Sequence, residues 1–263
     1  MERKILYAIV FLLGGFGSSP AQDLDLEGKV SDTAKYHPRP EPRGRNEKFF
    51  TIILPTAGMA YGFIKLGNHG LTDIDLKARY EFSIEHPHPR FIVDDYLQFA
   101  PGTAVLVLSG IGVKGKNRIV DQAGIYLVSN LLLNVFCQGL KNITAVPRPD
   151  GTSNSFPSGH TAEAFASAEF LRREYGGRSV FYGLAGYSSA FAVGYLRMYN
   201  NKHWLSDVVA GAGLGVLSTE AAYFLYPKIR RLFPDNGLAG NNRSMVYPSY
   251  SHGSYGITLS RGF

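Results

Sequence analysis

The sequence predicts an all-α fold, a helical bundle of about five or six helices embedded in a membrane. Three observations carry that expectation. Uncharged segments recur at or just under the length a tilted membrane helix needs, ~17–25 residues. Small residues are frequent within them, as in Gly211-Ala212-Gly213-Leu214-Gly215, which lets helices approach closely. Basic residues gather in alternate connections: Lys114, Lys116 and Arg118, then Arg172, Arg173 and Arg178, then Lys228, Arg230 and Arg231. If the helices alternate across a bilayer, all three clusters fall on one side, as expected of cytoplasmic connections.

Along the chain, Arg3 and Lys4 precede an apolar run at 5–16 and then Gly17-Ser18-Ser19-Pro20-Ala21. That is the layout of a secretory signal peptide over residues 1–21, with cleavage after Ala21. Residues 22–48 are polar, carry Pro38, Pro40 and Pro42, and read as a linker. The helical domain occupies 49–233, with uncharged segments at 49–64, 96–113, 122–140 and 179–196. A further segment at 208–227 is interrupted only by Glu220, and a sixth helix is expected from about Ser158 to about Arg173. Residues 234–263 form a tail, whose closing stretch SYGITLSRGF alternates like a β-strand. A cleaved signal leaves residue 22 outside, whereas an even number of later spans ending inside must start inside. Either 49–64, with Pro55 and Gly58, does not span, or the signal is retained.

The alternative is a soluble all-helical bundle with an unusually apolar core. The mean hydropathy of -0.06 favours it, and Gln122, Asn130, Asn134 and Gln138 in one segment suit a buried soluble helix or a bundle interior. The net charge of +6 suits an anionic partner. No Lys/Arg run with interleaved aromatics marks a nucleic-acid face, so nucleic acid is not an expected partner. Cys137 is the single cysteine, which excludes an intramolecular disulfide and a cysteine-rich metal site.

The chemistry-bearing residues fall in three ordered blocks. In KNITAVPRP, Lys141 precedes Arg148, and a proline on each side biases Arg148 toward an extended conformation. Pro157-Ser158-Gly159-His160 stands where a helix begins. In RMYNNKHWLSD, Arg197 precedes His203, and Asp207 follows His203 by four residues, one face of a helix. A carboxylate there accepts a hydrogen bond from one ring N–H, fixes the tautomer and leaves the other nitrogen free as a nucleophile. Lys141, Arg148 and Arg197, with the N–H groups of a helix opening at Ser158-Gly159, would surround a tetrahedral anion. Gly159 leaves room for the anion, and His160 would protonate a leaving oxygen. Taken singly, each block is an ordinary capped turn, solvated cation or structural His–Asp pair. The joint pattern is what points to a phosphate site.

Lys-x6-Arg-Pro, Pro-Ser-Gly-His and Arg-x5-His-x3-Asp together resemble the type 2 phosphatidic acid phosphatase superfamily over residues 141–207. Within it the chain looks most like lipid A phosphatases and related bacterial envelope lipid phosphatases. The family's third block usually opens Ser-Arg; here Leu196 precedes Arg197, which removes a hydroxyl near the phosphate. The resemblance implies a metal-independent phosphatase with no cofactor. His203 is then the nucleophile that forms a phosphohistidine, Asp207 its orienting group and His160 the general acid. Lys141, Arg148, Arg197, Ser158 and Gly159 bind the phosphate. The implied partner is a phosphorylated membrane lipid, with lipid A first. Undecaprenyl diphosphate, phosphatidylglycerophosphate, a soluble periplasmic acid phosphatase and, last, a vanadium haloperoxidase remain alternatives. All three blocks lie opposite the basic connections, which places the site on the periplasmic face of the inner membrane of a bacterial envelope. His69, His86, His88, Asp73, Asp75, Asp94 and Asp95 lie outside the blocks and are expected to be surface loop.

Overall fold

The structure is a computed structural model and describes residues 45–67, 69–85, 89–232, 244–251 and 254–261. The signal at 1–21, the linker up to residue 44, His86, His88 and residues 233–243 lie outside the described residues. A single helical turn, α1 (Arg45–Lys48), continues through a π-helical turn at Phe49–Ile53 into α2 (Leu54–Leu66). The wider π spacing stands directly before Pro55, which has no N–H to give to an α-helical ladder. Then follow α3 (His69–Arg79) with a π-helical turn at Tyr80–Ile84, the single turn α4 (Asp94–Leu97), and α5 (Ala100–Gly110). The remaining helices are α6 (Ile119–Thr144), α7 (Gly159–Tyr175), α8 (Val180–Tyr199) and α9 (Leu205–Leu232).

The expected helices are α2 and α5 through α9; α3 and α4 fold the 67–99 connection that reads as loop in the sequence. Segment 96–113 falls short of its expected length. Its helix starts at Ala100 with Pro101 in the first turn and ends before Gly112, whose φ of +93° breaks the ladder. At about 1.5 Å per residue α5 is roughly 16 Å long, about half a hydrocarbon core. Among the described residues, three helices are long and apolar enough to cross a membrane: Asn46–Leu66, Ile119–Thr144 and Leu205–Arg231.

Side-chain placement separates the membrane bundle from the soluble one. Phe50, Leu127, Leu131, Phe181 and Leu184 all face outward with more than half their surface exposed, whereas Glu163, Glu169 and Glu174 of α7 are buried. A soluble bundle would invert this arrangement. The polar interior also accounts for a mean hydropathy near zero. Buried carboxylates need partners, and these have them. Glu174 accepts from Asn117 N at 2.9 Å, Gln122 Nε2 at 3.0 Å and Tyr223 OH at 2.6 Å. Glu169 takes both Nε and Nη2 of Arg172, at 2.8 and 2.7 Å, and Tyr187 OH at 2.6 Å.

α7 is the central helix, packed by α5, α6, α8 and α9. Phe170 and Tyr175 meet Val105 and Ile125 in one cluster, and Ala164 and Phe165 meet Val193 and Val216 in another. The small-residue run of α9 lets this packing close. A Cβ added at Gly211 would strike Ser158 O, one at Gly213 would strike Pro55 O, and one at Gly215 would strike Ala162 O.

The long helices run between the same two ends. At the basic end Glu47 meets Arg172 and Arg173, Asp121 meets Arg230, and Arg178 Nε donates to Lys114 O. At the other end Lys65 meets Asp75, Lys141 meets Asn154, and Ser158 meets Asp207. The helix from Asn46 therefore starts at the basic end, and segment 49–64 does run the length of the bundle. Beyond the helices, β1 (Ser244–Ser251) and β2 (Ser254–Arg261) form an antiparallel hairpin, with Ser251 opposite Ser254 and Ser244 opposite Arg261. The alternation at Ser254–Arg261 thus does form a strand, an addition to the all-α bundle.

Candidate active site

Four chain segments meet at the end of the bundle opposite the basic connections. α6 stops at Thr144 because Ala145 turns left-handed, at φ 46°, and returns its N–H to Lys141 O at 3.1 Å. The following loop is closed on itself. Arg148 N donates to Thr152 O at 2.7 Å, Gly151 takes φ +86°, and Asp150 Oδ1 accepts Thr152 N at 3.0 Å. Lys202 Nζ clasps Asp150 Oδ2 at 2.8 Å and Trp204 Nε1 donates to Pro147 O at 2.9 Å, so this loop is tied to the one before α9. Lys141 Nζ donates to Asn154 O at 2.7 Å and to Ser155 O at 3.3 Å, which anchors the return toward α7.

Ser158 caps α7: its Oγ lies 2.8 Å from Thr161 Oγ1 and 3.4 Å from Thr161 N, while its own N–H reaches Asp207 O at 3.0 Å. The motif is thus the capped turn that its sequence suggests, and it is also joined to the third block. A Cβ added at Gly159 would make only ordinary contact with Cys137 Sγ, 3.6 Å away. Protein packing does not demand glycine there.

His203 sits in the turn before α9 rather than on the helix, with Asp207 in the first turn, so the pair meets across a helix start and not along a helix face. The His203 Nδ1–Asp207 Oδ2 separation is 3.4 Å, at the long end for a hydrogen bond. The reason is that Asp207 Oδ2 is shared, accepting also from Trp204 N at 2.9 Å and from the Ser155 hydroxyl. His203 is buried, and burial lowers its pKa from 6.5 to about 4; Asp207 opposes that shift, while Arg197 and Lys141 add to it. The ring is therefore neutral. With Nδ1 turned to Asp207, Nε2 is the nitrogen left to act on a ligand.

The three cations converge. Lys141 lies within electrostatic reach of Arg148, Asp207 and Arg197. Arg197, on the last turn of α8, is buried and its Nη1 contacts Asp94 Oδ2 at 2.6 Å. Nε of Arg148 and Nε of Arg197 are buried donors without a hydrogen-bond partner among the described residues. An unmet buried donor costs about 1–3 kcal/mol, a cost that an anion accepting from both would remove. His160 Nε2 meets Asp95 Oδ1 at 3.0 Å. Burial and then Arg197 lower the His160 pKa, and Asp95 and Asp94 oppose them.

All eight expected site residues thus lie in this one region, but the expectation that Asp75, Asp94 and Asp95 are surface loop is corrected. Asp75 and Asp94 are fully buried and Asp95 is half-buried. Asp75 takes Ser206 N at 2.9 Å, Ser206 Oγ at 2.8 Å and Lys65 Nζ at 2.8 Å, fixing the start of α9. Asp94 holds Arg197 and Asp95 holds His160. Asp73 is exposed, as expected. Ser155, also unforeseen, shares Asp207 with His203. The available signal was electrostatic: three converging cations in a water-poor site need counter-charges, and the unassigned carboxylates lay in the 67–99 connection. Among the described residues no group of three or more His, Cys, Asp or Glu is placed to hold a metal.

Residues 122–231, which contain every expected site residue, match the family described as PAP2 superfamily. Lipid A 1-phosphatase of Porphyromonas gingivalis is 42% identical over 144 residues, an alignment covering 53% of this chain and 32% of that protein. The chain thus spans about a third of that relative's length. Among solved structures, the first transmembrane PAP2 type phosphatidylglycerolphosphate phosphatase from Bacillus subtilis matches with a TM-score of 0.52 at 20% identity, covering 68% of this chain and 99% of that one. Aquifex aeolicus LpxE matches with a TM-score of 0.45 at 23% identity, covering 57% and 94%. The Bacillus likeness concerns the fold alone, a helical bundle of membrane type.

Proposed function

We propose that this chain is a membrane phosphatase that removes phosphate from a lipid phosphomonoester through a phosphohistidine on His203. The 1-phosphate of lipid A is its first candidate substrate. The observation that carries the proposal is a buried, neutral His203 beside three cations, two of them with unmet Nε–H donors, at one end of a bundle with an apolar exterior. A lipid headgroup reaches such a site from the bilayer surface, whereas the acyl chains stay against Leu127, Leu131 and their neighbours. The relative's name, at 42% identity, directs the choice of lipid A.

In this reading Nε2 of His203 attacks phosphorus, the P–O ester bond breaks, and its electron pair leaves on the ester oxygen, which takes a proton from His160. Water then attacks the phosphohistidine, the P–N bond breaks, and His160 takes the water's proton. Lys141, Arg148, Arg197, the Ser158 hydroxyl and the Gly159 N–H hold the non-bridging oxygens, and their positive field stabilises charge that spreads over them in the transition state. Asp207 keeps the His203 tautomer. The basic connections lie inside by the distribution of Lys and Arg, so the site faces the periplasm.

The test is phosphate release by the detergent-purified protein from lipid A, undecaprenyl diphosphate, phosphatidylglycerophosphate and a soluble ester. Release from lipid A that disappears in His203→Ala is the expected result. Unchanged release by that variant would overturn the mechanism, and preference for the soluble ester would overturn the substrate class.

A further inference from the structure

We infer that Asp95 is a positioning residue for proton transfer: it holds His160 by Nε2 and supports its protonated form, leaving Nδ1 to serve the leaving oxygen. This rests on the phosphatase reading above. Asp95 lies outside the three sequence blocks and outside residues 122–231, and the geometry alone brings it to the site.

The carboxylate is fixed on both sides. Its Oδ1 meets His160 Nε2 at 3.0 Å and its Oδ2 accepts Arg90 Nη2 at 3.0 Å. The turn that carries it is tied down as well. Asn200 bridges to Phe91 N at 2.9 Å and Phe91 O at 2.8 Å, Gln98 Nε2 donates to Asp95 O at 2.8 Å, and Asp94 is buried on Arg197. No hydrogen bond reaches His160 Nδ1 among the described residues.

The electrostatic need for such a group follows from the phosphate site itself. A pocket that collects Lys141, Arg148 and Arg197 favours a neutral imidazole, yet a general acid must carry a proton when the ester bond breaks. The charged groups that face His160 are Arg197 from α8, 3.6 Å from Asp95 through Nη1, and Asp94 and Asp95 from α4; Arg90 reaches it only through Asp95. Of these, Asp95 alone hydrogen-bonds to the ring. With the ring protonated, Nε2–H is given to Asp95 and Nδ1–H to the leaving oxygen. Once that proton has moved, the neutral ring still donates Nε2–H to Asp95, and Nδ1 is ready to take the proton of the attacking water.

The experiment compares dodecyl phosphate, whose alkoxide needs a proton to leave, with p-nitrophenyl phosphate, whose nitrophenolate leaves unassisted. Positioned acids contribute ~10²–10⁴-fold, so in kcat/KM, which covers the steps up to ester cleavage and not the later attack of water, Asp95→Asn is expected to lose about tenfold or more on dodecyl phosphate and less than about threefold on p-nitrophenyl phosphate. Its alkaline limb with dodecyl phosphate should move to lower pH, and Asp95→Glu should restore part of the loss. In a His160→Ala background Asp95→Asn should change nothing further. The substrate ratio does not depend on how much protein is folded, so a weakened fold leaves the test intact. Equal losses on both substrates, or a full additional loss in the His160→Ala background, would overturn the inference and leave Asp95 a structural residue. No release of phosphate by the unaltered protein from any ester would instead overturn the phosphatase reading, and this inference with it.

Discussion

Acidification should act on folding stability through His203 in a direction opposite to that of a His–Asp ion pair. Burial takes the ring from 6.5 to about 4, a preference for the neutral form of roughly 3 kcal/mol. Because the pKa is depressed in the folded protein, the unfolded chain binds the proton first. The associated stability is fully present above about pH 6.5, is lost as the pH falls toward 4, and changes no further below that. Between about pH 7.5 and 4.5 the loss amounts to ~2.5 kcal/mol. At ~2–4 °C of Tm per kcal/mol for a domain of this size, that is about 5–10 °C. Many other groups titrate over the same range, so the informative quantity is the Tm gap between the unaltered protein and His203→Gln, which cannot titrate. Measured by thermal unfolding in one detergent at both pH values, the gap should shift toward the variant by about 5–10 °C on acidification. A constant gap would refute a buried neutral histidine. A shift the other way would show that Asp207 outweighs burial and that the ring is an imidazolium, unable to act as a nucleophile at neutral pH.

Two further substitutions test how the site is held. Asp75→Asn leaves Lys65 without its buried partner and weakens the hold on Ser206, so a stability loss on the order of 3 kcal/mol is expected. Phosphate release should fall by the same factor on alkyl and nitrophenyl esters, in contrast to Asp95→Asn. Gly211→Ala places a methyl group 2.5 Å from Ser158 O, a backbone atom, and 3.3 Å from Thr161 Cβ. It should cost about 1–3 kcal/mol by overpacking and impair turnover more than the same change at Gly139, whose Cβ would meet nothing within 4 Å.

The helices were legible in the sequence where the apolar signal was continuous, and blurred where backbone chemistry cut it. Segment 122–140 lies within α6 and 208–227 within α9, because length and lack of charge suffice to place a helix. Segment 96–113 was overread because Pro101 and Gly112 set its ends, and hydropathy does not register either. α7 is the instructive case. With Glu163, Glu169 and Glu174 it is among the more polar helices, and it is also the most enclosed. In a membrane bundle the outside is already apolar, so burial no longer tracks hydropathy. Composition alone therefore left the soluble alternative open until the exposed faces were placed.

The site divides along a similar line. Lys141, Arg148, Ser158, His160, Arg197, His203 and Asp207 are legible because their spacing is local: each block is a helix end, and short-range geometry decides what it presents. Asp75, Asp94 and Asp95 are not, because each reaches the motif-bearing half of the chain across more than sixty residues, as in Asp95 with His160 and Asp75 with Ser206. Nothing in Asp94-Asp95 distinguishes a solvated turn from a buried counter-charge until tertiary packing brings Arg197 beside it. The cations explain why the carboxylates must be there. A site that gathers three positive charges needs negative charge nearby to fold, yet that charge must leave the cations free to meet an anion. Two of the three carboxylates meet this condition by gripping side chains of the candidate site from behind, at one Arg197 nitrogen and one His160 nitrogen. The Arg197 Nε and the His160 Nδ1 then remain for the ligand. The same contacts that offset the charge also set the orientation, which is why Asp75, Asp94 and Asp95 join the candidate site although they lie outside its motifs.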